Sequence, residues 1–111
     1  MLEMKRGEIW WVDFEPSIGG EIRKVRPAII VSNDISNRYI NRVQVIPVTS
    51  NISRVYPGET LVFINQKQGK AMANQLTTVS KQRLKRRIGK VTDAEMKQIE
   101  EIIRLQLGLR N

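Results

Sequence analysis

The chain has 111 residues, enough for one compact domain and too few for two. It contains no cysteine and no histidine, which excludes disulfides, thiolate metal sites, a Ser-His-Asp arrangement and the usual neutral-pH proton shuttle. Nineteen Lys and Arg stand against eleven Asp and Glu, a balance that points toward a polyanion as partner.

In chain order, the first predicted strand is Ile9–Phe14, aromatic and β-branched behind Gly7. Because a strand alternates, one of Trp10 and Trp11 belongs in the core, and Trp11 is assigned there. A turn follows over Pro16–Gly20, with Gly19 and Gly20 permissive at its tip. Ala28–Val31 is apolar throughout, as expected of a strand buried on both faces. A turn over Asn33–Asn37 leads to a strand at Val43–Ile46, which Pro47 is expected to end or place at an edge. After a turn at Pro57-Gly58, two more strands are predicted at Thr60–Ile64 and Met72–Val79. Arg87–Val91 is a weaker sixth, and a short helical turn starts near Ser80.

The C-terminus changes period. Thr92-Asp93-Ala94-Glu95 reads as a capping box. Met96, Ile99, Ile103 and Leu107 then form one apolar stripe that packs on the sheet, and Gly108 ends the helix. Short, evenly spaced strands followed by one helix predict a small β-barrel, one domain over 1–111, without repeat or linker. The longest apolar run near the N-terminus, Pro27–Val31, is too short for a bilayer span or a signal peptide, so a cytoplasmic protein is expected.

The excess charge is concentrated. Between Thr60 and Thr92 lie Lys67, Lys70, Lys81, Arg83, Lys85, Arg86, Arg87 and Lys90, with no acidic residue among them. Nucleic acid is the partner such a field favours, because phosphates reward Lys and Arg through counterion release. A solvated face that serves solubility alone would carry the same charge.

For chemistry, the chain must rely on Arg, Lys, Thr, Ser, Tyr and carboxylates. Its acids form no tight cluster, so no metal is expected, and Asp13 near Glu15 reads more simply as a turn. Gly19-Gly20 lacks the Lys and Ser/Thr of a phosphate-binding loop. The Glu15–Arg26 segment holds the best constellation. Arg26 stands at the mouth of the apolar strand, where Pro27 restricts it to extended backbone and its planar fork suits a phosphate. Taken alone, a structural Arg26 paired with a carboxylate such as Glu21 is the simpler reading.

Four segments in register change that balance. Arg6-Gly7-Glu8-Ile9-Trp10, Arg26–Asp34, Val48-Thr49-Ser50, and Gln75 with Thr78–Leu84 resemble the MazF/PemK family of toxins along nearly the whole chain. The resemblance implies an SH3-like barrel with a C-terminal helix, a homodimer, and an acidic antitoxin with a flexible C-terminal segment. It implies metal-independent, cofactor-free cleavage of single-stranded RNA in a groove at the dimer interface. Carried over by position, Arg26 and Thr49 are the catalytic pair, Glu21 is an assisting acid, and Ser50, Asn51 and Gln75 line the RNA groove. Attack by the neighbouring 2′-hydroxyl suits these residues: Arg26 offsets phosphoryl charge first and donates a proton second, Thr49 donates a hydrogen bond, and Glu21 is the nearby candidate base. Ile22 and Lys24 stand where Gln and Gly are common in the family, and Thr77 where many members carry Arg. The competing readings are a barrel that binds RNA without cleaving it and one that poisons DNA gyrase.

Overall fold

The structure, a computed structural model, describes residues 3–16 and 18–110. Ser17, inside the predicted turn Pro16–Gly20, therefore lies outside the described residues, as do Met1, Leu2 and Asn111. Among the described residues seven strands form: β1 (Glu8–Asp13), β2 (Val25–Ile30), β3 (Arg42–Thr49), β4 (Glu59–Ile64), β5 (Lys67–Met72), β6 (Thr77–Ser80) and β7 (Leu84–Lys90). Helix α1 spans Asp34–Tyr39 and helix α2 spans Asp93–Leu107. The strands run in the order β4-β5-β3-β2-β1-β7, with β6 pairing the free side of β3, so the predicted small β-barrel with a C-terminal helix forms as a half-barrel.

Strands β1 and β2 are apolar on both faces, and the sheet has a core on each. Ile9 and Ile29 join Val31, Ile46, Val48, Val62 and Ala71 beneath α2, which adds Ile99 and Ile102. Trp10, Val12, Ala28 and Ile30 face the other way, against Phe14, Val43, Val45, Val79 and Leu84. The prediction of a strand buried on both faces at Ala28–Val31 holds. The assignment of Trp11 to the core does not: Trp10 is 2% exposed and central to the second cluster, whereas Trp11 is half-buried on the opposite face.

Pro47 does not end its strand. It lies within β3, fully buried, opposite Ala28. The reason is a change of neighbour on its other side: β6 pairs with β3 from Arg42 to Val45, and β5 takes over at Val48. Pro47 falls in the gap between the two ladders, where its missing N–H is not needed. The predicted strand Met72–Val79 is likewise two strands separated by a 3₁₀ turn at Ala73–Gln75. Strand β5 was hidden by its polar sequence, Lys67-Gln68-Gly69-Lys70. Its hairpin with β4 turns through Asn65 and Gln66 at φ 50 and 68, both left-handed as a two-residue hairpin turn requires.

The segment expected to be a turn at Asn33–Asn37 opens helix α1. Asn33 caps it by accepting the Ser36 N–H at 2.8 Å, and buried Asn37 donates to the Ser32 carbonyl at 2.9 Å. The predicted turn at Ser80 forms, with Ser80 accepting the Gln82 N–H at 3.2 Å. The capping box of α2 is complete, with Thr92 Oγ1 3.1 Å from the Glu95 N–H and Glu95 Oε1 2.8 Å from the Thr92 N–H. Glu95 Oε2 also accepts the Phe63 N–H at 2.8 Å, tying the helix start to β4. Of the predicted stripe, Ile99 is buried and Met96 and Ile103 are half-buried, but Leu107 is 53% exposed. Buried Ile102 shows that the contact face has turned away from Leu107 before the helix closes at left-handed Gly108, φ 67.

Candidate active site

Arg26 sits second in β2, where the strand emerges from the β1–β2 loop. Its Nε donates to the Arg23 carbonyl at 3.0 Å, which fixes the plane of the guanidinium. Among the described residues no carboxylate pairs with Arg26, and its two terminal nitrogens meet no protein acceptor. The structural pairing with Glu21 is therefore not what holds it.

Thr49 ends β3 opposite Lys70. Its Oγ1 accepts the Asn51 N–H at 3.3 Å, and Asn51 Oδ1 in turn accepts the Ser53 N–H at 3.2 Å and hydroxyl at 2.8 Å. These local turns shape the segment after Thr49. A buried cation anchors its far end: Lys70 Nζ reaches the Arg54 carbonyl at 2.7 Å and Glu59 at 3.0 Å, and lies over the Tyr56 ring at 5.4 Å.

Arg26, Thr49 and Ser50 line one groove of about 630 Å³. Its apolar walls are Trp11, Val25, Pro27, Val48, Ile64 and Ile88, and its polar lining includes Lys24, Lys67, Arg86, Asn65 and Gln68. Four cations and no carboxylate line it. Such a surface favours an anion and leaves no acid in the groove to repel it.

Glu21 and Gln75 lie elsewhere. They line a second cavity, of about 340 Å³, with Phe14, Ile22, Thr77 and Arg83, and it shares no lining residue with the first. Exposed Glu21 accepts the Ile18 N–H at 2.8 Å within its own loop. Gln75 holds that loop: Oε1 accepts the Ile22 N–H at 3.2 Å and Nε2 donates to the Gly20 carbonyl at 3.4 Å. In this conformation the predicted site residues thus divide into Arg26, Thr49 and Ser50 on one side and Glu21 and Gln75 on the other, while Asn51 lines neither cavity and meets the first only through its N–H on Thr49 Oγ1. Lys24 has φ 70, the left-handed region that favours glycine.

The basic run also divides. Lys81 donates to the Asn37 carbonyl, Arg83 to the carbonyls of Asp13 and Glu15, and Lys85 to that of Gln82. Arg87 pairs with buried Glu8 at 3.0 Å. Of the eight basic residues between Thr60 and Thr92, Lys67 and Arg86 line the groove. Trp11 and Lys24 are groove residues that sequence reasoning missed, and Lys67 and Arg86 were read only as part of a basic field, without a place in the groove. Only strand alternation offered a signal, placing Trp11 and Arg86 on the face opposite their neighbours. Asp13, read in sequence as a turn residue, accepts the Glu15 N–H at 3.0 Å.

A half-barrel with a cation-lined groove at the ends of β2 and β3 defines a small basic protein built to hold a polyanion. The comparisons narrow the class: residues 5–107 match the family described as "PemK-like, MazF-like toxin of type II toxin-antitoxin system". The chain belongs to that family. It is 43% identical over 115 aligned positions to endoribonuclease MazF9 of Mycobacterium tuberculosis, covering 96% of this chain and 98% of that protein. The fold agrees with a mycobacterial endoribonuclease solved in complex with its cognate antitoxin, at 25% identity and TM-score 0.80, covering 100% of this chain and 99% of the other. It agrees also with MazF of Deinococcus radiodurans, at 22% identity and TM-score 0.88, covering 98% and 100% of the two chains.

Proposed function

We propose that the chain is the toxin of a type II toxin–antitoxin pair and an endoribonuclease that cuts single-stranded RNA at the Arg26–Thr49 groove without a metal. The observation that carries this reading is Arg26 itself: its orientation is fixed through Nε, its terminal nitrogens meet no acceptor among the described residues, and it lines a groove with three other cations and no carboxylate. Family membership supplies the reaction class.

In the reaction, the 2′-oxygen bonds to the adjacent phosphorus as the bond from phosphorus to the 5′-oxygen breaks. The 2′-hydroxyl loses its proton and the 5′-oxygen gains one, leaving a cyclic phosphate and a 5′-hydroxyl. The protein need supply neither nucleophile nor activated water. Arg26 offsets the charge that grows on the phosphoryl oxygens, and its fixed plane means little reorganisation is required. Thr49 donates its hydroxyl proton to the same oxygens while its Oγ1 keeps the Asn51 contact, which aligns the scissile phosphate. Ser50 and Asn51 shape the RNA-facing turn after it. Glu21, whose carboxylate holds the Ile18 N–H in the loop, serves proton transfer only after that loop moves; Gln75 reaches RNA under the same condition.

The partners follow from the family: a homodimer that brings two copies of the groove together, and an acidic antitoxin whose flexible C-terminal segment covers a cationic groove. The mycobacterial relative was solved with its cognate antitoxin. No described helix is long and apolar enough to cross a membrane, and we place the protein in the cytoplasm with its mRNA substrate. The test is incubation of the protein with long single-stranded RNA in EDTA beside an Arg26→Ala variant, with 5′ ends mapped. Discrete cuts that vanish in the variant are expected. RNA that is bound but left whole would overturn the catalytic assignment.

A further inference from the structure

Strand β1 lies between β2 and β7, and its ladder to each places Pro27, Trp11 and Arg86 in one row across three strands. Cross-strand partners point to the same face, and all three residues line the Arg26–Thr49 groove. Adjacent strands lie about 4.8 Å apart, so Arg86 stands roughly 10 Å from the β2 edge of the row, with the indole of Trp11 between. Trp11 is half-buried and Arg86 is exposed, with no ion pair among the described residues. Its neighbour Arg87, by contrast, is engaged by Glu8. The groove therefore offers an anion-binding fork beyond the Arg26 end, separated from it by an aromatic platform.

We infer that Trp11 and Arg86 form a second nucleotide subsite, in which Arg86 holds a phosphate beside the scissile one and Trp11 stacks the base between them. The inference rests on the RNA-cleaving reading of the same groove. Guanidinium forks suit phosphates, and a π-face accepts any base, so this subsite adds affinity and register with little base preference. Arg86 contributes equally to the ground state and the transition state, because the phosphate it holds does not react.

The test is made on the full chain with Arg86→Gln and the conservative Arg86→Lys. For cleavage, Arg86→Gln is expected to raise KM about tenfold, the size of one lost charge-assisted contact, while kcat stays within about twofold. Arg86→Lys should recover part of that loss. Binding is measured separately with a 2′-O-methyl RNA oligonucleotide, which lacks the attacking hydroxyl and reports whether or not the protein cleaves. The slope of log affinity against log salt should become shallower by about 0.7 for Arg86→Gln, the value for one phosphate contact on a single strand. The same oligonucleotide should quench tryptophan fluorescence in the parent and not in Trp11→Phe, since Trp10 is buried. Unchanged KM and salt slope in Arg86→Gln would overturn the subsite. So would a variant that loses self-association by light scattering while each subunit binds the oligonucleotide as before, because Arg86 would then belong to a protein contact. Failure of the parent to cleave, with the slope change intact, would instead strike the catalytic reading and leave the subsite standing.

Discussion

Gln75 holds Ile22 by its backbone: the side-chain oxygen accepts the Ile22 N–H at 3.2 Å while the amide nitrogen reaches the Gly20 carbonyl at 3.4 Å. One side chain from the turn between β5 and β6 thus pins the loop that precedes Arg26. The contact spans 53 positions in sequence, and it spends on the loop the amide that the family resemblance assigns to RNA.

Gln75→Ala should free that loop. Neutral hydrogen bonds are worth about 1 kcal/mol each, and these two are long and half-exposed, so the loss of global stability should be roughly 1 kcal/mol or less. The local effect is larger, because little else on that segment is buried. Limited trypsin digestion followed by mass spectrometry should show cleavage after Arg23 and Lys24 accelerating severalfold. Unchanged digestion rates would mean that the loop is held by other contacts.

Lys70 and Glu59 form the most buried ion pair described, 3.0 Å apart and each 10% exposed. Lys70 also takes the Arg54 carbonyl, and Glu59 accepts the Tyr56 N–H at 2.8 Å, so the pair closes the segment that begins at Thr49. Lys70→Met leaves a carboxylate buried without its partner, which costs about 3 kcal/mol in comparable settings. Urea unfolding should show a loss of that size. The double variant Lys70→Met with Glu59→Leu should recover much of it, since an apolar pair of similar volume often replaces a buried ion pair without net loss. A double variant as unstable as the single one would show that the Arg54 carbonyl and Tyr56 contacts, and not the stranded charge, dominate.

The parts of this fold that were legible in sequence are those where local rules and tertiary packing agree. The capping box at Thr92 and Glu95, the terminal Gly108 and the apolar strand at Ala28–Val31 are local signals that the structure honours. The misreadings arise where the neighbouring strand decides. Pro47 is tolerated because β3 changes partner beside it, a fact that no local window contains. Strand β5 carries charged and polar residues because its buried positions are a glycine, Gly69, a paired Lys70 and only one apolar side chain, Ala71. Trp10 and Trp11 are interchangeable to a composition rule, and only the register to β2 and β7 says which one meets the core. The same holds for the site. Arg26 and Thr49 were legible through family resemblance, whereas Lys24, Lys67 and Arg86 reach the groove from three separate elements.

Asp34 carries the pH dependence that the structure supports. Its Oδ1 accepts the Arg6 N–H at 2.7 Å and the Asn37 amide at 3.2 Å, and the backbone contact above all holds its carboxyl below the usual carboxylate range. A depressed folded-state pKa means that the native state favours the ionised form. The stabilisation is therefore fully present above the unfolded-state pKa and is lost as pH falls through the folded one. The group is exposed, so the effect should be modest. Chemical unfolding of the parent and Asp34→Asn should show a gap at neutral pH that narrows progressively below pH about 4. A gap that stays constant down to acid would show that the hydrogen-bond geometry matters and the charge does not.

Gly69 fixes where Thr49 stands. A Cβ at that position would lie 2.8 Å from Val48 Cγ1 and 3.1 Å from the Thr49 carbonyl oxygen, so β5 passes β3 at a distance that only glycine permits. The Val48 methyl has little freedom to yield, since that side chain is 3% exposed in the core beneath α2. Gly69→Ala should then separate the two strands at Val48 and Thr49, with an overpacking cost of roughly 1–3 kcal/mol. The chemical consequence should exceed the stability one, because catalysis by alignment is sensitive to displacements of an ångström or less. In cleavage assays at a temperature where the variant is fully folded, kcat should fall at least tenfold while binding of an uncleavable RNA changes little. Normal kcat in a folded Gly69→Ala protein would show that the position of Thr49 is not set by this contact, or that the hydroxyl of Thr49 is not required at its observed place.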